Sequence, residues 1–284
     1  MISMNRLLSI ICLFVPLSLS AQEKHVTSTK MFGVGYNSVQ DTYLSPEHYG
    51  GPEVRYLSHT VRERAEATCD SNFVQEGKKE KSRWTRLIIN EGYFSYGKSR
   101  SKNGATISGA YHFQYGVLRK WSFLANRLTV KGGAQAEFLG GFIYNTRNGN
   151  NPAQARALID IGPVAMAEYA LKGGNADGKG RITVAYEASC PLFGLTFSPN
   201  YGQSYYEIFN EGNYDRNIVP TTIVSMPSLR QQLTFTFCLS RINLSVGYLG
   251  DYRQLQVNNL KQHIYSSMLM IGMTHSFYAG RRKP

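Results

Sequence analysis

The chain has 284 residues and carries 31 Lys and Arg against 19 Asp and Glu, a formal charge of +12. The excess does not gather into a nucleic-acid module: Lys78-Lys-Glu-Lys81 is a short mixed cluster of the kind found in solvated turns, so the basicity points to an anionic lipid surface. No Cys-x-x-Cys spacing supports a zinc or thioredoxin-like site, no cofactor is implied, and 19 Tyr with 14 Phe suit interfacial girdles better than an ordinary enzyme core.

Residues 1–21 read as an export signal. Arg6 is the positive n-region, Leu7 to Leu17 the apolar run, and Ser18-Leu-Ser-Ala21 the small-residue cleavage site before Gln22. Its removal takes away Arg6 and no acid, lowering the charge from +12 to +11. Cys12 lacks the small residue that a lipoprotein site places before its cysteine. The remainder, 22–284, reads as one domain with Cys69, Cys190 and Cys238 as free thiols.

Met31 to Gln40 alternates Phe32, Val34 and Tyr36 against Gly33, Gly35 and Asn37, a first strand. Ser45 to Pro52, with two prolines and a glycine pair, reads as a loop. In the strand from Val54 to Arg64 the charges Arg55, Arg62, Glu63 and Arg64 fit neither face, which calls for a bulge or a projection beyond the membrane. Cys69 to Ser82 reads as a turn region. Trp84 to Gly97 is a strand whose Ile88-Ile89 pair breaks alternation and predicts a bulge, and Ser99 to Gly104 is the next turn.

From Ile107 the alternation is clean, Tyr111, Phe113, Tyr115 and Val117 outward against Ser108, His112 and Gln114. Leu128 to Tyr144 sets Leu128, Val130, Phe138, Phe142 and Tyr144 against Thr129, Lys131, Gln135 and Glu137. After the turn Thr146 to Pro152, Ile159 to Leu171 returns with Asp160, Met166 and Glu168 inward. Pro163, which has no N–H for the ladder, predicts a distortion there.

Lys172 to Gly180 is a turn, and Arg181 to Cys190 sets Ile182, Val184 and Tyr186 against Thr183 and Glu187. Pro191 to Thr222 is the longest interruption, dense in Tyr, Asn and Gly, and loops of that length fold over something or serve a purpose. Leu229 to Leu239, Arg241 to Arg253 and Tyr265 to Phe277 close the series. The fold class is therefore all-β: an antiparallel up-and-down transmembrane β-barrel of about ten strands in the outer membrane, its last strand pairing with its first. A soluble antiparallel barrel or sandwich is the fold alternative, since alternation alone does not say what the apolar face meets.

The inward polar groups His112, Lys131, Gln135, Glu137, Asp160, Glu168, Glu187, Arg230, Asp251 and Arg253 carry both signs. In a narrow lumen they read as a plug of ion pairs and hydrogen bonds. His112 is the best placed lumenal base, with a structural hydrogen bond as its simplest role. No His-x-x-x-His, His-Glu-x-x-His or Gly-x-Ser-x-Gly motif marks a metal site or an activated serine. Two loops combine amides, carboxylates and rings suited to sugars or a protein surface: Arg147, Asn148, Asn150 and Asn151, and then Tyr201, Tyr205, Tyr206 and Glu207. The simpler role for the second set is to cap the barrel mouth.

These two stretches, with Tyr43-Leu-Ser-Pro46 and His263-Ile-Tyr-Ser266, resemble a family of outer-membrane barrel proteins of Bacteroidota known only as a domain of unknown function. The resemblance spans almost the whole chain after the signal and implies location and architecture. The family has no established activity or catalytic residues to carry over. The expectation is a non-enzymatic envelope or surface-interaction protein, with outer-membrane lipid and lipopolysaccharide as partners, an extracellular glycan or protein as ligand, and no nucleic acid. A narrow pore for small solutes and a barrel hydrolase or lipid-modifying enzyme are the alternatives.

Overall fold

A computed structural model describes residues 24–64, 83–172, 180–239 and 242–279. The export signal with Cys12, the turn region with Cys69 and Lys78 to Lys81, most of the Lys172 to Gly180 turn, Arg241 and the tail beyond 279 lie outside the described residues.

Period-2 sequence becomes long strands because each places one face in hydrocarbon and the other in a lumen. In order these are β1 (Lys24–Asp41), β2 (Ser45–Arg64), β3 (Trp84–Ser99), β4 (Ala105–Phe123), β5 (Leu128–Asn145) and β6 (Ala153–Lys172). There follow β7 (Ile182–Ser189), β8 (Phe193–Phe197), a five-residue helix α1 (Tyr205–Phe209), β9 (Ile218–Thr222), β10 (Leu229–Cys238), β11 (Asn243–Val257) and β12 (Leu260–Ala279). All pairings are antiparallel. β1 to β7 pair in sequence, β7 pairs with β10, β10 to β12 follow, and β12 pairs with β1 from Lys24↔Ala279 to Asp41↔Gln262, closing a barrel of ten strands.

The stagger can be read from the register. From Phe32, the row of partners reaches Ala157 of β6 by way of Tyr56, Gly92, Tyr111 and Gly140, and reaches Tyr169 by way of Ile271, Val246, Phe235 and Val184. The two ends of the row lie twelve residues apart on one strand. Twelve steps of about 3.3 Å across ten strands about 4.8 Å apart correspond to a strand tilt of about 40°.

The apolar face is the outside one: Phe32, Val34, Ile161, Phe193, Leu269 and Ile271 are each more than half exposed, while Leu57, Leu87 and Met268 are fully buried. A girdling apolar belt is far beyond what a soluble monomer exposes, so it meets hydrocarbon and the protein is an outer-membrane barrel. The soluble alternative fails on this point.

Ser45 to Pro52 is strand, not loop. β2 starts at Ser45, and the reversal shrinks to Thr42–Leu44. Pro52 is tolerated because it has no ladder partner on β3, and Pro46 because it precedes that ladder, which starts at Tyr49, and falls at the register shift against β1. Arg55 and Glu63 fit the alternation, pointing inward with Glu53, Leu57, His59 and Val61, while Arg62 is exposed. The bulge expected at Ile88-Ile89 is absent, since β3 keeps one register with both neighbours. Ile89 is inward because the lumen at that level is apolar, not polar.

Pro163 does mark a distortion, but its partner strand absorbs it. β6 stays regular against β5, and on the other side pairing passes from Val164↔Ser189 to Ile161↔Phe193, so Cys190 to Leu192 hold one residue more than β6. Cys190 and Cys238 are free thiols near opposite ends of paired strands.

The long interruption folds over the barrel mouth. Ser204 and Glu207 form a reciprocal capping box at α1, Ile208 is fully buried, and Tyr205 stacks on Phe209 and packs against Phe197. Three ties hold it across the opening. Tyr43 of the β1–β2 turn donates to the Gln203 carbonyl at 3.0 Å, Tyr205 donates to Gln154 Oε1 at 3.0 Å, and Asn258 Nδ2 donates to the Ser198 carbonyl at 3.1 Å. Asn258 and Asn259 both have positive φ, as a two-residue type I′ hairpin requires.

Burial pushes the Tyr205 hydroxyl up to about 12 and raises that of Tyr43 as well. A raised phenol favours the folded cap while neutral, so this contribution is complete below about pH 10 and is lost as pH climbs through the raised value. The phenolate difference titration between the wild type and Tyr205→Phe is expected to have its midpoint near 12; a midpoint near 10 would show Tyr205 free in solvent.

Candidate functional site

The lumen is built in layers. In the half of the lumen towards the termini, Met31, Leu57, Val61, Leu87, Ile89, Leu118, Val164, Leu249, Met268 and Met270 form an apolar cluster. Two residues further along the strands the inward positions become charged. Beyond them lies a second apolar layer of Tyr93, Ala110, Leu139, Leu158 and Met226, and at the far rim Val39, Leu44, Ile143 and Ile264 complete the filling.

Arg55 is at the centre of the charged layer and has no exposed side-chain surface. Its Nε donates to Glu53 Oε1 at 2.7 Å, and its Nη1 reaches both Glu91 Oε1 and Asp251 Oδ2. Arg230 spans Glu91 and Glu187, each at 2.9 Å, and Arg253 spans Asp251 at 2.9 Å and Glu137 at 2.7 Å. His59 Nε2 lies 2.8 Å from Glu187 and His112 Nδ1 2.8 Å from Glu137. The Glu53 carboxylate also accepts from Asn37 and Ser266. Burial of this many ions is tolerable only because each is paired.

Of the polar residues expected in the lumen, Arg230, Glu187, Asp251, Arg253, Glu137 and His112 join this network. Asp160 is buried opposite Glu137 in the register, and Gln135 is buried one inward position below Glu137. Lys131 and Glu168 are elsewhere: at the terminal end Lys131 Nζ is 2.8 Å from Glu63 and 3.9 Å from a half-exposed Glu168. The alternation did not place Glu53, Arg55, His59 or Glu91 in the network. A strict period-2 count from Val54 would have found Arg55 and His59.

Glu91, His112 and Asp251 bring three ligand atoms within 4.8 Å of one another, and His112 Nε2 has no described partner. The donor set nevertheless does not fit a metal. Guanidinium nitrogens already occupy all four oxygens of Glu91 and Asp251, so a cation would displace arginines and meet their charge. A cavity of about 40 Å³ bordered by Leu139, Arg156, Met226 and Arg253 has room for a water or two and no substrate.

In the outer loops Asn148 works internally, donating to the Leu44 carbonyl at 3.0 Å and accepting from the Asn150 and Asn151 amides. Arg147 pairs with Glu47 at 3.3 Å on the surface. Tyr205 and Glu207 are held within the cap, whereas Tyr201 and Tyr206 stand out from it, 76% and 63% exposed.

Arg55→Met is expected to lower unfolding stability in detergent by about 3–5 kcal/mol, because Glu91 and Asp251 lose a shared buried partner. Leu57→Ala, in the apolar layer, is expected to cost about 2–5 kcal/mol. Urea titration of the heat-modifiable gel shift measures both, and a wild-type midpoint for Arg55→Met would show the network to be incidental.

Among solved structures, the chain is similar to the transport unit of the autotransporter AIDA-I from Escherichia coli, with 10% identity, 95% of this chain and 96% of that one covered, and a TM-score of 0.38. It is similar to the translocator domain of autotransporter NalP from Neisseria meningitidis, with 9% identity, 95% and 94% covered, and a TM-score of 0.37. An outer-membrane channel from Pseudomonas putida F1 follows, with 10% identity, 92% and 97% covered, and a TM-score of 0.33. Likeness this slight carries nothing about activity. No curated protein sequence matches the chain. A family model described as a protein of unknown function matches residues 7–284, nearly the whole sequence, and the chain therefore belongs to the DUF3316 family.

Proposed function

We propose that this protein is a closed, non-conducting and non-enzymatic barrel of the outer membrane that acts through its exterior, as an envelope or surface-interaction protein. The filled lumen carries this reading. Apolar and ionic layers alternate along the axis and the cap lies across the mouth, which among the described residues favours a packed lumen over a solute path or a substrate chamber beside His112 or Glu137. The outward rings Tyr201 and Tyr206 offer aromatic faces to a glycan or protein. Export by the 1–21 signal and an origin in Bacteroidota belong to the same reading.

Purified barrel in planar bilayers is expected to give no conductance steps, and steady single-channel openings would establish the narrow pore instead. The mature chain is expected to begin at Gln22 by N-terminal sequencing, and a start at Met1 would overturn the export signal.

A further inference from the structure

The lipid-facing belt is uneven. On β1 to β5 the register aligns Phe32, Tyr56, Gly92, Tyr111 and Gly140 in one row and Val34, Val54, Phe94, Gly109 and Phe142 in the next. From β2 onward in the first row and from β3 onward in the second, rings and glycines alternate, so the rings stand as walls over a glycine floor. The result is an apolar groove of about 490 Å³ on the outer face of the barrel. That size falls within the roughly 300–1,000 Å³ of small-molecule sites. The floor is open: a Cβ added at Gly92 meets nothing closer than 4.0 Å, and one at Gly140 nothing closer than 3.6 Å.

Ten strands put both termini on the periplasmic side, so the far end meets the outer leaflet, and what lies above the groove there identifies its occupant. One row towards the far end, Tyr96, Ile107 and Tyr144 align, with Tyr36 on β1 beside them, as an interfacial girdle. One row further Lys98 faces outward, and Arg100 and Lys102 follow in the β3–β4 hairpin. All three are exposed, and none pairs with a carboxylate among the described residues. Gly92 and Lys98 are six residues apart, about 20 Å along a strand. At a tilt of about 40° this becomes about 15 Å of depth, somewhat more than half of the roughly 25 Å apolar belt of such barrels.

We propose that this groove binds one acyl chain of a phosphorylated outer-leaflet glycolipid of the lipid A type, its phosphate held by Lys98, Arg100 and Lys102. Three clustered cations match a multiply phosphorylated head better than the single phosphate of a glycerophospholipid. Membrane hydrocarbon surrounds the groove, and an acyl chain fills it without desolvating a polar group. The site rests on the outer-membrane placement and not on the closed lumen, so bilayer conductance and lipid retention test separate statements.

Native mass spectrometry of the full chain, released from detergent after incubation with diphosphoryl lipid A, is expected to show one retained lipid. The triple variant Lys98→Ser, Arg100→Ser, Lys102→Ser and the groove-filling variants Gly92→Leu and Gly140→Leu are each expected to lower retention by about tenfold. Heat-modifiable migration confirms that each variant has folded. Dephosphorylated lipid A and phosphatidylethanolamine are expected to be retained poorly by the wild type. Equal retention of either lipid, or undiminished binding by both folded glycine variants, would overturn the proposal.

Discussion

The ladder between β1 and β12 is the contact on which the rest of the structure depends. Hydrocarbon offers no partner to an unpaired N–H or C=O, so a spanning sheet has to meet its own first edge. Here it does so over the whole of β1, from Lys24↔Ala279 to Asp41↔Gln262. Ten strands with a stagger of twelve residues then set a radius at which facing side chains meet across the axis. Every inward position becomes a packing decision and every outward one a solvation decision.

The interior resolves this by separating its chemistry by depth. Methionine and leucine fill the half towards the termini, and Arg55, Arg230 and Arg253 knit five carboxylates together above them. A lone buried ion costs several kcal/mol, so an ionic layer enclosed by apolar ones holds only while each member keeps its partner. The layer joins β2, β3, β5, β7, β10 and β11, which makes it a cross-brace of the cylinder as well as a plug. The cap adds the same closure at the mouth, tied to the neighbouring β1–β2 and β11–β12 turns and to Gln154 of β6 on the opposite wall.

Since the lumen is spent on packing, the proposed role falls to the exterior. Its two distinctive parts lie at different heights. Tyr201 and Tyr206 rise from the cap, and the glycine-floored groove with its cationic rim lies on the wall formed by β1 to β5. Neither part needs the barrel to open.

Much of the fold was legible in the sequence because one face of every strand must be apolar. Period 2 located Phe32, Val34 and Tyr36 outside, Glu137, Asp251 and Arg253 inside, and an even strand count near ten. The same rule misled wherever an inward residue was apolar. The Ile88-Ile89 pair looked like a break in the pattern because a lumen was expected to be polar, and Ile89 is a core residue of the apolar cluster on the terminal side of the charged layer. Proline misled at Ser45 to Pro52, where the missing donors fall beside a gap in the ladder. Only the tertiary structure decided which inward charges meet, for Arg55, Glu91 and Asp251 come from three strands and their contact depends on stagger, which no single strand encodes. It also decided what the Pro191 to Thr222 stretch covers, and that the belt is hollowed where glycines of neighbouring strands fall side by side. Alternation within a strand is a local property of the chain, whereas depth along the axis is set by closure of the whole sheet.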